Sequence, residues 1–111
     1  MHTTTLAFLD DATFDATVAP GSGTIALEFT AEWCGACKVM APALEQVARE
    51  LEGQVRFYAI DADVNPSVVT RFAVRALPTV LVFREGRLVD RIVGAVGAGA
   101  LRGRVTSAGA A

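Results

Sequence analysis

Two cysteines, Cys34 and Cys37, are the side chains best suited to covalent chemistry, and the chain has no others. They stand in Trp33-Cys34-Gly35-Ala36-Cys37-Lys38. A pair this close cannot staple distant parts of a fold. In a reducing compartment such a pair is reactive or metal-binding more often than structural. The attacking species in thiol–disulfide exchange is the thiolate, and a free cysteine is mostly protonated at neutral pH. A helix N-terminus changes that balance, because its unpaired N–H groups and its dipole stabilise a sulfur anion. The pair follows a β-rich stretch and opens a helical one, so Cys34 lies at or just before a first turn. Cys37, one turn on, points back and can close a ring. Cys34 therefore reads as the attacking sulfur and Cys37 as the one that resolves the mixed disulfide. Two other readings stay open. The cysteines could be small apolar core residues. They could also bind metal, but zinc normally takes four ligands, and the chain adds only His2 near its end. A metal or cluster shared between two chains would still be compatible with the pair.

The elements that must position the pair alternate between strand and helix. Thr4 to Phe8 reads as a short strand. Asp10 or Asp11 can cap a short helix to about Val18, and Pro20-Gly21-Ser22-Gly23 makes a turn. Thr24 to Thr30 is β-rich, with Ile25, Leu27 and Phe29 on one face and Ala26, Glu28 and Thr30 on the other. A helix is expected from Cys34 to about Leu51. Met40, Leu44, Val47 and Leu51 form its apolar stripe, Pro42 should kink it, and Gly53 should end it. Val55 to Ile60 reads as a buried strand, and Asn65-Pro66 opens a short helix with Val68, Val69 and Phe72. Thr79 to Phe83 and Leu88 to Val93 form a hairpin around Glu85-Gly86. Gly97 to Val105 is a weak helical candidate because of its glycines. The order is β-α-β-α-β-α-β-β-α. Helical crossovers imply parallel pairing and the hairpin an antiparallel edge. The fold class is α/β, a central mixed sheet flanked by helices, and residues 1–111 suit one domain.

Composition narrows the partners. The chain has 52% hydrophobic and 20% charged residues, enough apolar material for a core. Its net charge of −2 gives no basic field for nucleic acid or an anionic membrane. Met1 to Leu9 has no Lys or Arg and runs into Asp10 and Asp11, unlike an export signal. The apolar run between Arg91 and Arg102 is far below the roughly 18 residues of a membrane span. A cytoplasmic location is expected.

The stretch Glu28-Phe29-Thr30-Ala31-Glu32-Trp33-Cys34-Gly35-Ala36-Cys37-Lys38 resembles the active-site segment of thioredoxins. The resemblance continues through Pro42, Asn65-Pro66, Arg75-Ala76-Leu77-Pro78-Thr79, Glu85-Gly86 and Gly94, nearly the whole chain in order. It implies the thioredoxin fold and a cis Leu77–Pro78 bond beside the cysteines, with Leu77 offering backbone hydrogen bonds to a substrate segment. A proline opening a strand has no N–H to give, which suits that placement. Glu28 stands where most thioredoxins carry a buried aspartate. Burial should raise its pKa and let it take the proton from Cys37, in contrast to a strand-end glutamate reaching solvent. Ala59 stands where the family often has a lysine, so no cation there would favour the carboxylate. Ala36 replaces the usual proline, and its N–H is expected to donate to the Cys34 thiolate, giving a weaker reductant.

Thr30 replaces a frequent aromatic and is expected to alter docking. Trp33 should line the contact surface, Gly35 should permit close approach of a substrate backbone, and Gly94 should do the same or mark a bulge. Asp61 and Asp63 read as a solvated loop, Met40 as core and Lys38 as exposed. The implied activity is reduction of protein disulfides, with no tightly bound cofactor or metal. Electrons would come from NADPH through a thioredoxin reductase, and the protein would be a monomer. The rival reading is a thioredoxin-fold sensor or interaction module serving one dedicated partner.

Overall fold

The computed structural model describes residues 4–110. Its elements are β1 (Ala7–Leu9), α1 (Phe14–Thr17), β2 (Thr24–Thr30), α2 (Gly35–Glu50), β3 (Val55–Asp61), α3 (Pro66–Arg71), β4 (Thr79–Arg84), β5 (Arg87–Val93) and α4 (Ala98–Gly109). The strands form one sheet in the order β1-β3-β2-β4-β5. β3 runs parallel to both β1 and β2, while β4 is antiparallel to β2 and to β5. The mixed sheet is the one expected from the crossovers and the hairpin.

Both faces of β2 are buried, which places it at the centre. Ala26 packs with Val80, Val82 and Ile92 beneath α2 (Met40, Leu44, Val47) and α4 (Leu101, Val105, Ala108). Ile25, Leu27 and Phe29 pack with Leu81 and Phe83 beneath Phe14 of α1 and Val68 of α3. Phe14, Phe72 and Phe83 meet there with ring centroids 5.3–5.7 Å apart. Helices therefore cover both faces, and α2 carries its first turn out past the end of β2. Pro42 lies inside α2, which continues to Glu50.

Three elements differ from the sequence expectation. β1 is Ala7–Leu9 rather than Thr4 to Phe8. Thr4 Oγ1 takes the Leu6 N–H at 3.2 Å, which draws that backbone away from ladder pairing. α1 is a single turn. The Asp10 carboxylate accepts the Thr13 N–H at 2.8 Å, but Asp11 turns away to accept the N–H groups of Ser67 (3.0 Å) and Val68 (2.9 Å) at the start of α3. α4 forms through Gly109 in spite of its glycines, because Leu101 and Val105 are wholly buried against α2 and the sheet. Glu85 and Gly86 turn the hairpin with φ of 52° and 79°, a conformation the second residue's glycine suits.

Candidate active site

β2 ends at Thr30, and the chain turns at once into α2. The Ala31 carbonyl accepts the Cys34 N–H at 3.1 Å, and the Cys34 carbonyl accepts the Lys38 N–H at 3.2 Å. Cys34 is thus the N-cap of α2, with extended φ and ψ of −80° and 105°. Its Sγ occupies the place of a capping oxygen and accepts the Cys37 N–H at 3.1 Å. The sequence pointed to the Ala36 amide as the donor, whereas this bond comes from the next residue. Cys34 and Cys37 are joined as a disulfide across a Cα–Cα distance of 5.3 Å. Both are buried, packed with Ala31 and against the half-buried Leu77.

The Leu77–Pro78 bond is cis, as the family resemblance implied. The Pro78 carbonyl accepts the Gly94 N–H at 2.8 Å, tying the end of β5 to the segment beside the cysteines. Gly94 has φ of +89°, which favours glycine, and the irregularity in β4–β5 pairing lies at Val82/Phe83 instead. Gly35 and Ala36 are exposed on the first turn of α2. Trp33 is 68% exposed, and its Nε1 donates to the Asp63 carboxylate at 2.8 Å.

Glu28 is 3% exposed and so is not a strand-end side chain reaching solvent. It lies in register with Ala59 of β3 and Val80 of β4, on the sheet face that α2 covers. Burial pushes its carboxyl from the usual 4.5 up to about 7, with the Glu45 carboxylate adding to the rise. Ala59, wholly buried beside it, supplies no cation to oppose that shift.

The thioredoxin family model matches residues 5–107 of the chain. The chain belongs to the thioredoxin family. A thioredoxin of Staphylococcus aureus is 43% identical over 84 residues, 76% of this chain and 79% of that protein. Thioredoxin 1 of Synechococcus elongatus is 38% identical over 90 residues, 81% of this chain and 84% of the relative. Thioredoxin 1 of a Nostoc species is 34% identical over the same length and shares. The mixed five-stranded sheet with its helices is the thioredoxin fold, and this thioredoxin-family chain is a thiol–disulfide oxidoreductase with disulfide reductase activity. Such a protein needs no tightly bound cofactor.

Within that family setting the structure revises some sequence readings. Asp63 is more than a solvated loop residue, since it holds the Trp33 indole, and Asp61 Oδ1 accepts the Asp63 N–H at 2.9 Å. A bond between residues 30 apart leaves no local sequence signal. Thr30 is buried, so it adds little surface for docking. Met40 is core and Lys38 is exposed, both as read. His2 lies outside the described residues. Among the described residues, no group of three or more His, Cys, Asp or Glu side chains is placed to hold a metal ion, and no helix is long and apolar enough to cross a membrane.

Proposed function

We propose that the chain, as one domain, reduces disulfides of protein substrates with Cys34 as nucleophile and Cys37 as resolving thiol. The observation that carries this reading is the N-cap position of Cys34, its sulfur accepting the Cys37 N–H in the first turn of α2. The Cys34 thiolate attacks one substrate sulfur, forming a mixed disulfide and releasing the other sulfur as a thiolate. Cys37 loses its proton to Glu28, through water, and attacks Cys34. The new Cys34–Cys37 disulfide forms, the second substrate thiolate leaves, and two electrons have passed to the substrate. Glu28 suits the proton step because its pKa of about 7 lets it accept and return a proton near neutrality.

Trp33, Gly35, Ala36, Leu77, Pro78 and Gly94 form the docking rim around the pair. Exposed Trp33 and exposed small residues leave room for an extended substrate segment, and the Leu77 backbone offers it hydrogen bonds. A thioredoxin reductase drawing on NADPH recharges the disulfide. The protein works in the cytoplasm as a monomer, passing electrons to several partners and sustaining redox balance.

The test is the rate at which the protein, fed by a small dithiol, reduces an unrelated protein disulfide. Wild type should turn over rapidly, Cys34→Ser should fall to background, and Cys37→Ser should accumulate mixed disulfides. Wild-type turnover no faster than Cys34→Ser would overturn the reductase reading in favour of a module dedicated to one partner.

A further inference from the structure

Asn65 is 6% exposed and occupies the N-cap position of α3, where asparagine ordinarily caps its own helix. Here its side chain makes no such bond. The capping is done from 54 or more residues away, by the Asp11 carboxylate on the Ser67 and Val68 N–H groups. The Asn65 amide faces the other way. Its Oδ1 accepts the Asp11 N–H at 2.9 Å, and its Nδ2 donates to the Asp61 carbonyl at 2.9 Å.

Asp61 in turn accepts the Asp63 N–H on its own carboxylate at 2.9 Å, and the Asp63 carboxylate accepts Trp33 Nε1 at 2.8 Å. The β1–α1 loop, the loop after β3 and the exposed indole beside Cys34 are thus joined by hydrogen bonds through one buried amide. Asp61 is the last residue of β3, in register with Thr30, and the Ala62 N–H donates to the Thr30 carbonyl at 2.9 Å. The sheet thus holds the loop carrying Asp63 at one end, while Asn65, buried and bonded on both sides, holds it at the other.

We propose that Asn65 is a positioning residue for substrate docking: it anchors the loop carrying Asp63, and so fixes the orientation of Trp33. The proposal rests on the docking role given to Trp33 above. It makes Asn65 act on affinity for protein substrates, through Trp33, and not on the exchange chemistry at Cys34.

Trp33 is the only tryptophan, so its fluorescence anisotropy reports directly on the indole. Asn65→Ala should lower that anisotropy and raise KM for a protein disulfide about three- to tenfold, with kcat and the rate on a small aromatic disulfide unchanged. In a Trp33→Ala background, Asn65→Ala should add no further rise in KM. Asp63→Ala, at an exposed position, should reproduce the mobile indole and the KM effect if Asn65→Ala folds poorly. An indole as rigid in Asn65→Ala and Asp63→Ala as in wild type would overturn the proposal, as would KM effects that multiply in the double variant. If Trp33→Ala alone leaves KM unchanged, the docking role of Trp33 fails, and the anisotropy then decides the positional claim by itself.

Discussion

Ala36 is the second residue of α2 and stands where the thioredoxin family usually carries proline. The difference is one N–H. In the disulfide form the Cys34 sulfur accepts the Cys37 N–H. Once reduced, a charged sulfur at this helix start is expected to draw on the Ala36 N–H as well, and each amide it uses stabilises the charged, reduced form. Proline at this position fits a helix start but removes a donor. A hydrogen bond to a charged group is worth about 1.5 kcal/mol or more, and about 30 mV corresponds to 1.4 kcal/mol for a two-electron couple. Ala36→Pro should therefore lower the reduction potential by about 30 mV, read from equilibration with a glutathione buffer. An unchanged or higher potential would show that the Cys37 amide alone sets the sulfur's environment. The contrast with Asp63 and Asn65 explains what the sequence conceals at this level. The cysteines, Glu28 and Pro78 announce themselves by type and by neighbours a few residues away. The bonds from Trp33 to Asp63 and from Asn65 to Asp11 join residues 30 and 54 apart that only the fold brings together, so no spacing reports them.

α4 sets two forces against each other. Gly103 weakens its interior by about 1 kcal/mol against alanine, while Gly99 and Gly109 stand at its two ends. Leu101 and Val105, both fully buried, bind it to α2 and the sheet. Packing is the larger force if Leu101→Ala costs about 3 kcal/mol or more, as deletion of a buried leucine side chain generally does. Gly103 is exposed, has ordinary helical φ, and a Cβ there meets nothing within 4 Å. Gly103→Ala should therefore stabilise by about 0.5–1 kcal/mol. Urea melts of the two variants check the pair, and a stabilising effect of Gly103→Ala larger than the loss in Leu101→Ala would reverse the ranking. This balance also explains which elements were legible. β2, α2, β3 and the hairpin carry period-2 or period-3.6 apolar patterns strong enough to read alone. α4 owes its existence to a surface that other elements provide, and α1 starts only at Phe14, with Asp11 drawn off to cap α3. Neither cause lies within the element's own residues.

The whole molecule carries a buried acid at its centre, and that fixes how its stability must depend on pH. Below about 4.5, Glu28 is protonated whether the chain is folded or not, so its burial costs nothing electrostatic. As pH rises through 4.5 the unfolded chain gives up the proton while the folded chain keeps it, and the unfolded state gains. Above about 7 the folded carboxyl ionises too, and the penalty levels off. The stability contributed by a neutral Glu28 is thus fully present below pH 4.5 and lost as pH rises to 7. At 1.36 kcal/mol per pH unit the full loss is about 3 kcal/mol. Glu28→Gln keeps the shape and removes the titration. Relative to wild type it should gain about 3 kcal/mol in stability between pH 4 and pH 8, measured by denaturant melts across that range. A difference between the two proteins that does not change with pH would mean that Glu28 titrates in the fold as it does in the unfolded chain. The proton-accepting role assigned to it would then fail as well, because a carboxylate that never holds a proton near neutrality cannot have taken one from Cys37. The family's usual lysine would relieve this tension by offering a cation. With Ala59 in its place, the fold accepts a pH-dependent loss of stability in exchange for an acid poised at the pH where exchange occurs.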